Sequence, residues 1–471
     1  MTMPAASKKI LGLKDVLLMS FFANLGIRWL PIAAGIGPST LLFWFLGALL
    51  FFLPFSLIVS ELSTLYPEKG GMYIWIKNGL GPAPAFVSAW CYWVVNFFYY
   101  PAILTFFASN LAYALMRPAL ANNEVYVTTV VIVTMWIMTL TLMGGLKVGK
   151  FLSVEGGLLG TLIPIVLLIG LGFGTLMWTH HSATSFSLLS LLPSQGLMGN
   201  LSVLSILMFA MAGMEVIPTF ASSVRNPKRN LPRGVLLATL LIFLCYTLGT
   251  VAMNLIAAPS EIQNTTGIMS TFALIDTRLH IPWLTEIMAC LLSFAEIAAL
   301  SMWLIAPAVM FFQCTEKHLI PQWLHRNNKY DMPYNAFILQ AILVTIIVLL
   351  TALLPSVNDM YQVMVLMTTA VYFIPYVLLI VAYVRIKARG ESGGFSVPGK
   401  KWGSYLSSAV VMFSLILGIA LCFVPGSNLM THHALVTYET ELIAGPIILV
   451  LLGVGFYWRR RICVGMVSKQ R

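Results

Sequence analysis

The chain has 471 residues, of which 59% are apolar and only 9% are charged, whereas about 25% of residues in an ordinary soluble protein are charged. The 27 Lys and Arg residues outnumber the 16 Asp and Glu residues, so the formal net charge is +11. This composition excludes a soluble fold, which could not bury so much apolar surface, a disordered chain, which needs low hydrophobicity, and a nucleic-acid-binding protein, which collects its cations on one face. A polytopic membrane protein remains.

Twelve apolar runs are long enough to cross a bilayer as helices, which takes about 20 residues. In chain order they cover roughly residues 14–34, 39–65, 83–115, 125–144, 149–178, 199–223, 232–257, 282–313, 335–354, 359–386, 404–425 and 440–458. The loops between them divide the cations, because all but Arg28, Arg117 and Arg278 lie on one side. Cytoplasmic loops collect Lys and Arg, so the sequence predicts that both termini are cytoplasmic.

The first and sixth runs contain the same local pattern. Residues 22–31 read Phe-Ala-Asn-Leu-Gly-Ile-Arg-Trp-Leu-Pro, and residues 209–218 read Phe-Ala-Met-Ala-Gly-Met-Glu-Val-Ile-Pro. Gly and Pro weaken a helix interior, and a charge at membrane depth costs about 2.5 kcal/mol or more, so we expect both helices to be broken at a cavity. Two such helices in corresponding positions indicate the substrate site of a secondary transporter. The alternative is a chance likeness, since Gly and Pro are common in membrane helices.

The spacing of the two patterns divides the chain into repeats. Runs one to five form the first repeat, at about 14–178, and runs six to ten form the second, at about 199–386. An odd number of spans in each repeat inverts the second repeat relative to the first. The sequence therefore predicts an all-α integral membrane protein in which residues 1–471 form a single transmembrane domain.

Three loop motifs resemble those of the amino acid–polyamine–organocation superfamily. Residues 225–233, Arg-Asn-Pro-Lys-Arg-Asn-Leu-Pro-Arg, are similar to the family's ending of the sixth helix. Residues 61–82 follow the family pattern E…PxxGGxyxW…lGP, and residues 395–400 resemble FxxPGgk. The resemblance covers about residues 10–460. It implies a five-plus-five inverted repeat with helices one and six broken, plus two peripheral helices at about 404–458.

Within the superfamily the chain resembles most the bacterial glutamate:GABA antiporter-like branch, because Ala295-Glu296-Ile297-Ala298 is similar to a stretch of the eighth helix there. It departs from the family in the first helix, where Arg28 stands in place of the second Gly of a Gly-small-Gly stretch. Trp303 also lies further from Glu296 than the corresponding Trp of those antiporters.

Broken helices expose backbone N–H and C=O groups that have no helical partner. Half-helix N-termini favour an anion such as a carboxylate, and free carbonyls favour a cation such as an ammonium group. Two facing breaks therefore suit an α-amino acid, the substrate class that the resemblance also implies. By analogy with the family, the substrate carboxylate is assigned to Asn24, Gly26 and Ile27, and the amino group to Ala210, Met211 and Gly213.

Arg28 lies inside the first run, and three roles are open for it. It can bind an anionic group of the substrate through its planar guanidinium, form an internal ion pair with Glu215, or extend to the outer interface. Buried charges usually pair with one another, which favours a structural role.

Glu215 and Glu296 are carboxylic acids that the sequence places deep in apolar runs. Such a group can exchange a proton and couple transport to protons, or it can simply bond a neighbouring helix. Asn96 and Trp303 are further candidates for the substrate site, since helices three and eight flank the broken pair in this architecture. Tyrosines at helical spacing in helices three and ten are expected to pack between helices, and these are Tyr92, Tyr99, Tyr372 and Tyr376.

The sequence predicts a secondary amino-acid transporter that works by alternating access as an exchanger, with proton linkage left open. The alternatives are a polyamine or cationic-amine importer and a non-transporting amino-acid sensor of the same fold. No phosphate-binding, metalloprotease or hydrolase motif occurs, so we expect no enzyme activity, cofactor or metal. The expected partners are an amino acid and the lipid bilayer of the cell (inner) membrane, without nucleic acid, in a monomer or a homodimer.

Overall fold

The computed structural model describes residues 11–67, 70–144, 156–187, 189–192, 201–218, 224–314, 319–330, 332–352, 356–424 and 447–459. Within these ranges the regular structure is helical, apart from two isolated β-bridges that join Leu11 to Val224 and Asn327 to Pro333. Nine helices in this part of the chain are long and apolar enough to cross a membrane. The prediction of an all-α, multi-pass membrane fold is therefore confirmed at this level.

The helices are numbered in chain order. They are α1 (Leu13–Asn24), α2 (Trp29–Ala34), α3 (Thr40–Leu65), α4 (Met72–Leu80), α5 (Pro82–Ala114), α6 (Glu124–Leu142), α7 (Leu158–Trp178), α8 (Leu201–Ala210), α9 (Pro227–Ile256), α10 (Gly267–Leu279), α11 (Leu284–Cys314), α12 (Tyr334–Thr351), α13 (Val357–Ala388), α14 (Lys400–Cys422) and α15 (Ile447–Arg459). Nine predicted spans coincide with α3, α5, α6, α7, α9, α11, α12, α13 and α14. The first predicted span contains α1 and α2, whereas the sixth and twelfth contain α8 and α15 and lie partly outside the described residues, so the number of twelve spans stays a prediction.

Helices α4 and α10 were not expected, because with nine and 13 residues they are too short to cross a bilayer. Both are amphipathic. α10 buries Ile268, Phe272 and Ile275 on one face and leaves Arg278 exposed. A one-sided apolar pattern of this kind is typical of a helix that covers the surface of a core.

Two stretches of non-helical backbone lie next to each other. α1 ends at Asn24 and α2 begins at Trp29, and after α8 the residues 211–216 also leave the α-helical conformation. Gly213 has a φ of +111°, a backbone conformation that residues other than glycine rarely adopt. A Cβ atom on Gly213 would lie 2.0 Å from Oδ1 of Asn24. Glycine is therefore required here for both reasons, and the two segments are in contact.

The long helices differ in how deeply they are buried. Of the apolar stretch of α5, 94% is buried, and of that of α13, 83%, whereas the figure for α6 and α12 is 33%. The exposed side chains of α6 include Val133, Ile137 and Leu140, as expected of a surface that faces lipid. α5 and α13 therefore form the centre of the molecule, where they supply side chains to the surroundings of the two non-helical segments.

Candidate functional site

Two cavities lie at residues 25–28. The first cavity lies between α1, α7 and α11, and Ile27, Thr161 and Glu296 are among its lining residues. The second cavity is lined mainly by aromatic rings and by both non-helical segments, and it includes Asn24, Gly26, Trp29, Tyr99, Phe209, Ala210, Trp303 and Tyr372. Arg28 borders both cavities.

The Arg28 guanidinium is held by α11 and α5. Its Nη1 lies 3.1 Å from Oε2 of Glu296, and its Nη2 donates to the hydroxyl of Tyr99. The rings of Trp29 and Tyr99 lie 4.9 and 5.3 Å from the guanidinium carbon, which adds cation–π attraction. The Nε–H is buried and has no acceptor among the described residues.

The structure corrects two of the three roles that the sequence left open for Arg28: the internal ion pair forms with a different partner, and the side chain is not at the outer interface. Its ion-pair partner is Glu296 and not Glu215, because the side chain reaches towards α11. Arg28 is only 5% exposed, so it does not extend to the outer interface. Arg28 therefore has a structural role in an ion pair, and contact with a ligand is also compatible with its position between the two cavities.

Glu215 is surrounded by tyrosine hydroxyl groups. Tyr92 and Tyr372 donate to its Oε1 at 3.1 and 2.8 Å, and Tyr376 donates to its Oε2 at 2.5 Å. The side chain is buried, with 2% exposure. These contacts give a buried carboxyl group the hydrogen bonds that it needs. The tyrosines were expected only to pack between helices, but they converge on this carboxyl group.

Tyr246 of α9 connects the two non-helical segments, and no pattern in the sequence indicated it. Its hydroxyl oxygen accepts the N–H of Gly26 at 3.1 Å. The hydroxyl lies 3.0 Å from the carbonyl oxygens of both Asn24 and Ala210. A hydroxyl group has one proton to donate, so at any moment only one of the two carbonyls receives a full hydrogen bond. The Gly26 N–H, assigned to a substrate carboxylate, is thus bonded to Tyr246.

The remaining candidates divide between the cavities and the packing around them. Trp303 lines the second cavity, and its ring centroid lies 5.3 Å from that of Tyr99. The side-chain amide of Asn96 donates to the carbonyl oxygen of Tyr92 in its own helix at 2.7 Å, and its Oδ1 is buried without a partner among the described residues.

Two candidates on the second non-helical segment bond or pack on neighbouring helices. Met211 is fully buried, and its sulfur atom packs near Gly47 of α3. The N–H of Gly213 donates to the Tyr376 hydroxyl at 2.8 Å. Neither of the two is among the residues that line the cavities.

A sequence model of the family described as amino acid permease matches residues 11–451. The chain is a member of this amino acid permease family. It is 28% identical to an uncharacterized transporter of Legionella pneumophila, over 95% of this chain and 96% of the relative. It is 23% identical to the glutamate/gamma-aminobutyrate antiporter of Lactococcus lactis, over 93% and 89% of the two chains. It is 24% identical to a probable agmatine/putrescine antiporter of Lactococcus lactis, over 90% and 89%.

These matches confirm the resemblance to the amino acid–polyamine–organocation superfamily and its antiporters. The permease is a transport protein and not an enzyme. Its nine long apolar helices among the described residues embed it in a membrane as a multi-pass protein, and its substrate is a small molecule.

Proposed function

We propose that this permease is a secondary amino-acid exchanger that works by alternating access. In this proposal residues 1–471 form one transmembrane domain of twelve spans with both termini on the cytoplasmic side of the cell membrane. Its inverted repeats cover about 14–178 and 199–386, and peripheral helices cover about 404–458. The non-helical backbone after α1 and after α8 would be the breaks in spans one and six, with the second cavity as the substrate site.

One observation supports an amino acid as the substrate. The Nε–H of Arg28 and the Oδ1 of Asn24 are both buried, both belong to residues that line the second cavity, and neither has a partner among the described residues. A buried donor or acceptor without a partner costs about 1–3 kcal/mol. A molecule that carries a carboxylate for the Arg28 N–H and an ammonium group for the Asn24 oxygen would satisfy both. This proposal moves Asn24 from the carboxylate end, where the family analogy places it, to the ammonium end, because its free atom is an acceptor.

The aromatic rings around this pair suit the carbon skeleton of such a substrate. Tyr99, Phe209, Trp303 and Tyr372 line the second cavity, and a few polar groups among apolar walls are typical of small-molecule sites. Ile27 borders the first cavity, and the backbone around Gly26 contributes to the second. Asn96, Met211 and Gly213 would then not contact the substrate but would support the residues that line the site, through the contacts given above.

Two carboxyl groups are candidates for proton coupling. Glu215 accepts hydrogen bonds from three tyrosine hydroxyl groups, whereas Glu296 is paired with the Arg28 cation. An ion pair with a cation favours the charged form of a carboxyl group, so Glu296 is the poorer site for a proton that comes and goes. We therefore assign proton exchange, if transport is proton-linked, to Glu215 and assign charge compensation to Glu296.

The alternative of a polyamine or cationic-amine importer depends on the sign of the charge at the second cavity. A dicationic substrate in the second cavity would lie next to the Arg28 guanidinium, and the repulsion between like charges would weaken its binding. The alternative of an amino-acid sensor differs only in that bound substrate is not carried across the membrane.

Uptake into liposomes with purified protein separates these functions. We expect labelled amino acids to enter vesicles preloaded with unlabelled amino acid and not to enter empty ones. Uptake into empty vesicles that requires an imposed proton gradient would replace the exchanger by a proton symporter. Uptake of putrescine but of no amino acid would establish the amine importer, and amino-acid binding without uptake would establish the sensor.

A further inference from the structure

A second buried ion pair lies apart from both cavities. Glu61 of α3 is fully buried, and Lys387 of α13 is 7% exposed. The Lys387 Nζ lies 2.6 Å from Oε1 of Glu61. The other oxygen, Oε2, accepts the Tyr383 hydroxyl at 2.6 Å and the N–H of Val397 at 3.1 Å. One carboxylate therefore joins α3, α13 and the segment that follows α13.

That segment, residues 390–399, connects α13 to α14, and we call it the strap. Gly390 and Gly399 at its ends have φ values of +80° and +86°, a conformation that glycine adopts without a steric cost. Gly394 lies so close to α9 that a Cβ atom there would be 2.6 Å from the Lys228 side chain. The strap thus turns sharply at both ends and lies flat against its neighbours in between.

Further hydrogen bonds attach the strap to the end of α3. The N–H of Phe395 donates to the Thr64 hydroxyl at 3.2 Å, and the Tyr66 hydroxyl donates to the Glu391 carboxylate. Together with Val397 on Glu61, three strap residues are bonded to the last turn of α3 and the residue after it. A segment without regular structure is normally mobile, whereas these hydrogen bonds hold the strap in a fixed position.

The position of this cluster relates it to transport. Lys387, Lys400 and Lys401 lie at or beside the strap, on the side of the membrane that Lys and Arg mark as cytoplasmic. Glu61 belongs to the first proposed repeat, and Lys387 follows directly on the last span of the second. Alternating access moves one repeat or bundle against the other, so an opening that moves α3 against α13 on this side separates Glu61 from Lys387.

We propose that Glu61, Lys387 and the strap form a latch that holds the cytoplasmic side of the permease closed. The proposal rests on the alternating-access function given above. Two buried charges that face each other can part only if water enters to hydrate both of them. Release of the latch and entry of water from the cytoplasmic side are therefore one event.

Ser20 provides a reporter for that event. It lies one helical turn before Asn24, which lines the second cavity, so the two side chains share a face of α1. Ser20 is fully buried, and its hydroxyl has no partner among the described residues. The substitution Ser20→Cys therefore costs no side-chain hydrogen bond within the part of the chain that the structure describes, and it places a thiol between the cavity and the cytoplasmic end of α1.

The test measures how fast a charged maleimide modifies the thiol introduced by S20C in purified protein, with the modified peptide quantified by mass spectrometry. The double substitution E61Q/K387M in the S20C protein removes the pair without leaving an unpaired buried charge. We expect the rate to rise about five-fold or more, the scale of a typical conformational coupling. The control K401M, at an exposed lysine beside the strap, should leave the rate unchanged. Equal rates for E61Q/K387M and its parent would overturn the latch.

A milder variant covers the case in which E61Q/K387M does not fold. Tyr383→Phe removes one donor to Glu61 and leaves both charges in place, and we expect a rise of about two- to ten-fold, equivalent to one hydrogen bond. An unchanged rate would contradict the proposal. The labelling needs no substrate, so failure of the latch and failure of the proposed transport would be seen in separate experiments.

Discussion

The guanidinium of Arg28 lies 3.1 Å from the carboxylate of Glu296, and this pair ties the first non-helical segment to α11. The two side chains are 6% and 4% exposed. Removing one partner of such a pair leaves an uncompensated buried charge, whereas removing both charges together can be almost neutral. We therefore expect single and double variants of this pair to differ in their free energy of unfolding.

We expect Glu296→Gln to lower the free energy of unfolding by about 3–5 kcal/mol, the usual cost of breaking a buried pair. The double variant R28M/E296Q should regain most of that loss, although it should bind substrate poorly because the Arg28 donors are gone. Thermal unfolding of the purified variants in detergent measures both. A double variant that is less stable than either single variant would contradict this account of the pair.

Glu215→Gln should remove the pH dependence of transport and leave the protein folded. The oxygen of the new side-chain amide can still accept hydrogen bonds from tyrosine hydroxyl groups. The Tyr376 hydroxyl oxygen has two lone pairs and accepts one N–H, that of Gly213, so the second lone pair can accept an N–H of the new amide. Uptake rates over a range of pH in preloaded liposomes provide the measurement, with Glu261→Gln at an exposed carboxylate as the control. An unchanged pH profile in Glu215→Gln would exclude this residue as the proton site.

Tyr246→Phe should lower stability by about 1–3 kcal/mol, because the groups at Gly26, Asn24 and Ala210 lose a shared partner in a buried place. Transport should slow as well, since the two non-helical segments are no longer held together. The matched control is Tyr126→Phe, which removes a single hydroxyl contact to the carbonyl of Ala108. Equal losses of transport in both variants would argue against a special role for Tyr246.

Gly213→Ala should cost about 1–3 kcal/mol from the backbone conformation alone. The new methyl group would also meet Oδ1 of Asn24 and displace it from the second cavity, so amino-acid binding should fall. Gly174→Ala in α7 is the control, because nothing lies within 4 Å of its Cβ position and alanine is favoured over glycine in a helix by about 0.5–1 kcal/mol. We expect thermal unfolding to move in opposite directions for the two variants.

Features that depend on chain length and local pattern could be predicted from the sequence. Nine apolar runs coincide with long helices because an apolar stretch of that length has one favourable structure in a membrane. The Gly and charged residues at 26–28 and 213–215 lie in non-helical backbone in the structure. The short helix α10 was not predicted because its apolar residues recur on one face instead of forming a continuous run.

Contacts between distant parts of the chain could not be predicted in the same way. The spacing of Tyr372 and Tyr376 placed them on one face of a helix, but it did not say that this face meets Glu215. Similarly, a long flexible side chain such as that of Arg28 reaches carboxylates in several directions, and only the packing of α11 selects Glu296. Tyr246 lies in an apolar run without any local signal, although it touches both candidate segments.

The Arg28–Glu296 pair also has an electrical consequence. The positive charge of Arg28 and the negative charge of Glu296 cancel. If the pair stays intact while the substrate site opens to one side of the membrane and then to the other, the pair moves no net charge across the membrane. A potential of 100 mV acts with about 2.3 kcal/mol on each elementary charge that moves through it, and it has nothing to act on when one zwitterion replaces another. In the proposed function, exchange of one zwitterion for another is electroneutral when Glu215 keeps the same protonation state throughout, and its direction then follows the concentration ratios of the two amino acids alone.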